Sequence, residues 1–96
     1  MSDIQVTTTR EGNAWTCRVS LTDPDGSQTR HDVRVEPHDL QRLAPGADDP
    51  TDLVRRSFEF LLEREPKASI LRSFELPVIG RYFGDFPDEI RRRLAH

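Results

Sequence analysis

The sequence predicts an α+β fold in which a three-stranded antiparallel β-meander packs against a main helix, with short C-terminal helices after it. Apolar and polar residues alternate over the first third of the chain, as they do in strands with one buried face. A helix-start signal and apolar residues at helical spacing follow from residue 49 onwards. A chain of 96 residues has room for one modest core, so we expect a single domain over residues 1–96.

The meander is expected over residues 1–36. Its second turn is Asp23-Pro24-Asp25-Gly26, where proline favours a type I turn and glycine accepts the left-handed conformation of a following bulge. This turn sets the register, which places Trp15 opposite Val35 and Cys17 opposite Val33 on one apolar face. A shift by one residue would turn Trp15 away from the core, so we expect this register to be strongly favoured.

Helices are expected in three places. A short helix is predicted over residues 38–43, and the main helix over residues 50–65, with Asp49 as its N-cap and Pro66 stopping it. The apolar residues of the main helix cover an arc of about 200°, which is wider than one sheet face can bury. Residues 69–95 are expected to form a short helical C-terminal region that supplies part of the missing cover.

The most characteristic segments of the sequence are FEFLLEREPKASIL, which begins at Phe58, and LPVIGRYF, which begins at Leu76. Together they resemble a family of small bacterial proteins of uncharacterised function. The resemblance spans roughly residues 50–86 and is stronger there than in the strands. It implies a small, soluble bacterial protein and supplies no activity, cofactor or catalytic residue.

Composition narrows the class of protein further. Hydrophobic residues make up 34% of the chain and charged residues 32%, with a net charge of -3, which gives no general attraction to nucleic acid or to an anionic membrane. The single cysteine excludes an internal disulfide. The N-terminus has no apolar run of signal-peptide type, and no stretch is long enough to cross a bilayer. We therefore expect a soluble cytoplasmic protein with no membrane partner.

Two groups of residues invite a chemical interpretation. Cys17 and His31 are predicted to be diagonal neighbours on one sheet face, where an imidazole can activate a thiol; that face should be buried, so a core thiol and a core histidine are the favoured interpretation. Asp48, Asp49 and Asp52 have the oxygen ligands that a divalent cation needs, but their place at a helix start favours capping. We expect no catalytic residue, no metal and no cofactor, and hence no enzyme.

The favoured function is a non-enzymatic protein-interaction module, because the helical half carries more apolar surface than the sheet can bury. Either the C-terminal segment folds back over this surface, or a second chain covers it. We favour a homodimer over a different protein partner, since identical chains commonly supply matching apolar patches. The candidate partner surface consists of Phe60, Leu62, Val78, Ile79, Tyr82 and Phe83.

The alternative function is nucleic-acid binding or regulation through arginine side chains. Three arginines share the predicted outward sheet face and three more end the last helix. That sheet face has no aromatic residue on which a base can stack, and Asp32 is predicted to lie opposite Arg18. Nucleic acid is therefore the less favoured partner. The candidate contacts are Arg18, Arg30, Arg34, Arg91, Arg92 and Arg93.

Overall fold

A computed structural model describes residues 3–95, so the two ends of the predicted domain, residues 1, 2 and 96, lie outside the described residues. The described chain forms an α+β fold with four strands and four α-helices. In chain order the elements are β1 (Asp3–Glu11), β2 (Ala14–Thr22), β3 (Gln28–Val35), α1 (Pro37–Leu43), α2 (Thr51–Leu62), a 3₁₀ turn (Lys67–Ser69), β4 (Ser73–Glu75), α3 (Val78–Tyr82) and α4 (Phe86–Leu94).

The sheet has the order β1-β2-β3-β4, and its first three strands form the predicted antiparallel meander. The fourth strand is a correction to the three-stranded prediction, because β4 pairs with β3 in parallel. It lies within residues 69–95, which were predicted to be helical. Three residues are too few to show a period of two, and their pairing partner is distant in sequence, so no local pattern indicates this strand.

The predicted register of the β2–β3 hairpin is confirmed. Trp15 pairs with Val35 and Cys17 with Val33, and these four side chains are buried. Gly26 adopts a φ of 89°, which is the left-handed conformation expected at this position of the turn. The turn thereby aligns the apolar positions of both strands on the same side of the sheet.

The first two helices are close to their predicted positions. Helix α1 begins at Pro37, one residue earlier than expected, because Glu36 is its N-cap and forms a capping box with Asp39. Helix α2 begins at Thr51 and ends at Leu62, so it is shorter than the predicted range 50–65. Asp49 is not the N-cap, which is Pro50, although the Asp49 carboxylate accepts the Thr51 backbone N–H at 2.8 Å.

The C-terminal segment folds back over the flank of α2. The Phe60 ring is fully buried and lies 5.9 Å from the ring of Phe83 and 5.3 Å from that of Phe86, measured between centroids. The guanidinium of Arg93 on α4 donates to the Glu63 carboxylate at 2.7 and 2.9 Å. The C-terminal segment therefore covers much of the apolar surface of α2 that the sheet cannot bury.

Candidate protein-interaction site

An apolar groove with a volume of about 360 Å³ lies beside the edge strand β4. Its floor consists of buried side chains from three successive segments, namely Leu61, Ile70 and Ile79. Leu71 and Phe74 form one wall. The rest of the apolar lining comes from α3 and the residue after it, with the side chains of Val78, Tyr82 and Phe83.

Both of the large hydrophobic residues that stand out as exposed in the described chain line this apolar groove. The Leu71 residue is 47% exposed and Tyr82 is 69% exposed. Scattered single apolar residues are normal on protein surfaces, but two that share one concave site form a patch of the kind that partners cover. The groove is therefore the strongest candidate binding site in residues 3–95.

The segment that carries the Leu71 and Phe74 wall is hydrogen-bonded to β3. The backbone carbonyl of Leu71 lies 2.7 Å from Nδ1 of His31, and the Arg72 carbonyl accepts the Asp32 N–H at 2.8 Å. The Phe58 ring packs against residues of both segments: its centroid lies 5.4 Å from that of the His31 ring and 6.1 Å from that of the Phe74 ring. The wall thus depends on one imidazole, on a few backbone hydrogen bonds and on aromatic packing.

Cys17 and His31 are both buried, as the core interpretation predicted. The Cys17 sulfur lies 3.6 Å from the Thr8 hydroxyl, and burial raises the pKa of this thiol. Both nitrogens of His31 are engaged, Nδ1 with Leu71 and Nε2 with Thr29 at 2.9 Å. A ring with both nitrogens engaged has none left to accept a thiol proton, so this geometry gives the dyad no support.

The six predicted partner-surface residues differ in burial and do not all line the apolar groove. Phe60 is buried inside the chain and does not belong to the surface, because Phe83 and Phe86 pack against it. Ile79 is also buried, but it contributes to the floor of the apolar groove. Leu62 is half-buried and does not line the apolar groove. Val78, Tyr82 and Phe83 do line the groove. Leu71 and Phe74 line it as well, although neither belongs to the predicted surface.

Five of the six predicted nucleic-acid contacts are paired with carboxylates. On the sheet face, Arg18 lies 3.5 Å from Asp32 and Arg34 lies 2.9 Å from Glu36. The three arginines of α4 pair with acidic residues of α4 or with Glu63. Such pairs neutralise much of the positive field that phosphate contacts require, and Arg30 is the one of the six for which the described residues show no ion pair.

Of the three aspartates at the start of α2, Asp49 has a clear local role. Hydrogen bonds from the backbone and side chain of Thr51 lower the pKa of Asp49, which is the behaviour of a carboxylate at a helix start. Among residues 3–95, no three His, Cys, Asp or Glu side chains lie close enough together to hold a metal ion.

Comparisons with known proteins add no relative: no family model, no curated protein and no solved structure matches the chain. The resemblance to small bacterial proteins therefore stays a prediction. Within residues 3–95, none of the helices combines the length and the apolar character needed to cross a bilayer.

Proposed function

We propose that this chain is a non-enzymatic interaction module of a bacterial cytoplasm and that it binds a polypeptide through the apolar groove. The observation that carries the proposal is the placement of exposed Leu71 and exposed Tyr82 on the same concave site. At about 360 Å³, the groove is at the low end of the roughly 300–1,000 Å³ of small-molecule pockets. A space of this size suits one or two inserted side chains.

A second copy of the chain is the first candidate for the partner. The groove is concave, and Tyr82, which lines it, is an exposed side chain. The same surface patch therefore supplies both a cavity and a side chain that can fill the cavity of another copy. Two copies related by a two-fold axis can then each insert Tyr82 beside the groove of the other, which is the geometry of an isologous dimer. A different protein with an exposed aromatic or aliphatic side chain is the remaining candidate.

Sedimentation equilibrium over a wide concentration range tests this proposal. Wild type is expected to dimerise, and Tyr82→Glu is expected to prevent dimerisation, because the interface would have to bury an unpaired carboxylate. Gln41→Glu is a matched control that adds the same charge on an exposed residue of α1. It should dimerise as wild type does.

A wild-type protein that stays monomeric would remove the second copy as the occupant of the groove. Capture from the native host, followed by mass spectrometry, then tests the other candidate with the same three proteins. A partner bound by wild type and by Gln41→Glu, but lost with Tyr82→Glu, supports the proposed site. If no association of either kind depends on Tyr82, the proposed function is wrong.

A further inference from the structure

His31 links the middle of the sheet to the wall of the apolar groove. It is 1% exposed, and its two ring nitrogens contact groups that are far apart in sequence. Nε2 lies 2.9 Å from the Thr29 hydroxyl on the same strand, and Nδ1 lies 2.7 Å from the Leu71 carbonyl oxygen. The imidazole thus joins β3 to residues 71–76, the segment that contains β4 and one wall of the groove.

These contacts determine where the proton of the neutral ring lies. The Leu71 carbonyl oxygen can only accept, so Nδ1 carries the hydrogen and donates it. The unprotonated Nε2 then accepts the hydroxyl hydrogen of Thr29. Protonation of Nε2 reverses this second bond, since the Thr29 oxygen must become the acceptor and turn its own hydrogen away. Protonation therefore leaves a buried imidazolium cation and forces the Thr29 hydroxyl to reorient.

The groups around the ring compensate such a charge only in part, because the hydrogen bond to the Leu71 carbonyl favours the protonated ring but burial opposes it more strongly. Helix α2 presents the uncharged ring of Phe58, and β2 places the buried thiol of Cys17 diagonally on the same face. The segment before β4 contributes the cation of Arg72, while Asp32 on the neighbouring position of β3 contributes an opposing charge. Burial is the largest effect, and it lowers the pKa of His31 below its ordinary value.

We propose that His31 is a pH-sensitive anchor of the groove wall, and that its protonation releases residues 71–76 from the edge of the sheet. The release is local because this wall is the weakest part of the sheet. Strand β4 has three residues, against nine in β1 and in β2. Its ends are tied to β3 by two backbone bonds, from the N–H of Asp32 and from the N–H of Leu76.

The direction of the pH effect follows from the lowered pKa. The folded arrangement favours the neutral ring, so its contribution is fully present above the open-state pKa of about 6.5 and is lost as the pH falls from there towards the folded pKa. The groove is therefore complete at neutral pH and loses a wall in mild acid. The consequence for partner binding rests on the function proposed above, whereas the release itself needs no partner.

Native-state amide hydrogen exchange of the free protein, measured from pH 7.5 to pH 5, tests the anchor. The reporters are the amides of Asp32 and Leu76, which bond across the β3–β4 junction. Their protection factors, corrected for intrinsic exchange, should fall about ten-fold per pH unit below about pH 6.5 until the closed-state pKa is reached. The amides of the β1–β2 ladder should keep their protection. In His31→Gln, whose side chain does not titrate, the two reporters should show no such pH dependence.

Titration of the His31 ring nitrogens by NMR provides a second measurement that uses the wild-type protein only. The ring is expected to be the Nδ1–H tautomer at neutral pH and to titrate together with the amide signals of Asp32 and Leu76. The anchor is refuted if the ring titrates while these amides stay unchanged, or if the β1–β2 ladder loses protection in parallel. Persistence of the pH dependence in His31→Gln would refute it as well. None of these outcomes depends on whether a partner binds Tyr82.

Discussion

At the scale of single residues, Gly26 shows how one backbone conformation fixes the register of a hairpin. Its φ of 89° belongs to the left-handed region, and its N–H donates to the Asp23 carbonyl at 2.9 Å. An added Cβ would meet no other atom within 4 Å, so the cost of a side chain here comes from the backbone conformation alone.

Gly26→Ala is therefore expected to lower the free energy of unfolding by about 1–2 kcal/mol. Gly84→Ala is the matched control, because a Cβ there also meets nothing within 4 Å and the residue has no positive φ. Urea denaturation of both variants checks the difference. Equal stabilities of the two variants would count against the left-handed turn.

Cys17 has the environment of a structural thiol. It is fully buried, and burial raises its pKa, so both access and the thiolate fraction are low in the folded state. An aromatic disulfide reagent at pH 7.5 should react with Cys17 at least about a hundred-fold more slowly in the folded protein than in urea. Rapid reaction of the folded protein, at a rate close to that in urea, would contradict the predicted core thiol and make the less favoured Cys17–His31 dyad a candidate again.

At the scale of elements, the docking of α4 depends on one aromatic residue more than on its ion pairs. Phe86 is fully buried and contacts the Phe60 ring, whereas the Arg93–Glu63 pair is partly exposed. Hydrogen bonds from Arg93 lower the pKa of Glu63, yet a pair this exposed contributes less than about 1 kcal/mol.

Phe86→Ala is expected to destabilise the protein by about 3–5 kcal/mol, because it removes a fully buried ring and leaves a cavity. Tyr82→Ala removes a ring of similar size from an exposed position of α3 and, at a dilution where the protein is monomeric, should change the stability by no more than about 0.5 kcal/mol. Thermal or urea unfolding compares the two variants. Equal effects would show that α4 does not depend on this contact.

The sequence predicted correctly those elements that are specified by neighbouring residues. The β2–β3 register follows from one turn and an alternating pattern, and the start of α2 follows from Asp49 and Pro50 to within one residue. Strand β4 has no such signal, since it is extended by its pairing with β3. The groove was half predicted for the same reason: Val78, Tyr82 and Phe83 belong to a visible apolar cluster, whereas Leu71 and Phe74 join them only through β4.

At the scale of the whole molecule, the chain completes its own core. Its radius of gyration is 12.6 Å, against about 12.5 Å for a compact chain of this length. The apolar arc of α2, which is wider than one sheet face can bury, is covered by α4 and the segment before it. Association through the apolar groove would then add to a folded monomer and would not be needed to create one.

We therefore expect Tyr82→Glu to unfold cooperatively with a thermal midpoint that does not change with protein concentration. Wild type should share that midpoint at high dilution and exceed it at concentrations where it dimerises, as linkage between folding and association requires. Calorimetry across a dilution series checks both statements. If the Tyr82→Glu monomer were unfolded, the chain would need a second copy in order to fold.

The parallel pairing of β3 with β4 also has a consequence for the order of events during synthesis. Residues 36–72 lie between the two strands, so this pairing closes a long loop and belongs to the slow class of contacts. The meander can be complete while the segment that will become β4 is still inside the ribosome. During that interval the edge of β3 is bare, and a nascent chain with an open sheet edge is exposed to mispairing with its neighbours. The alternating charges of Arg30, Asp32 and Arg34 along β3 reduce that hazard until β4 arrives.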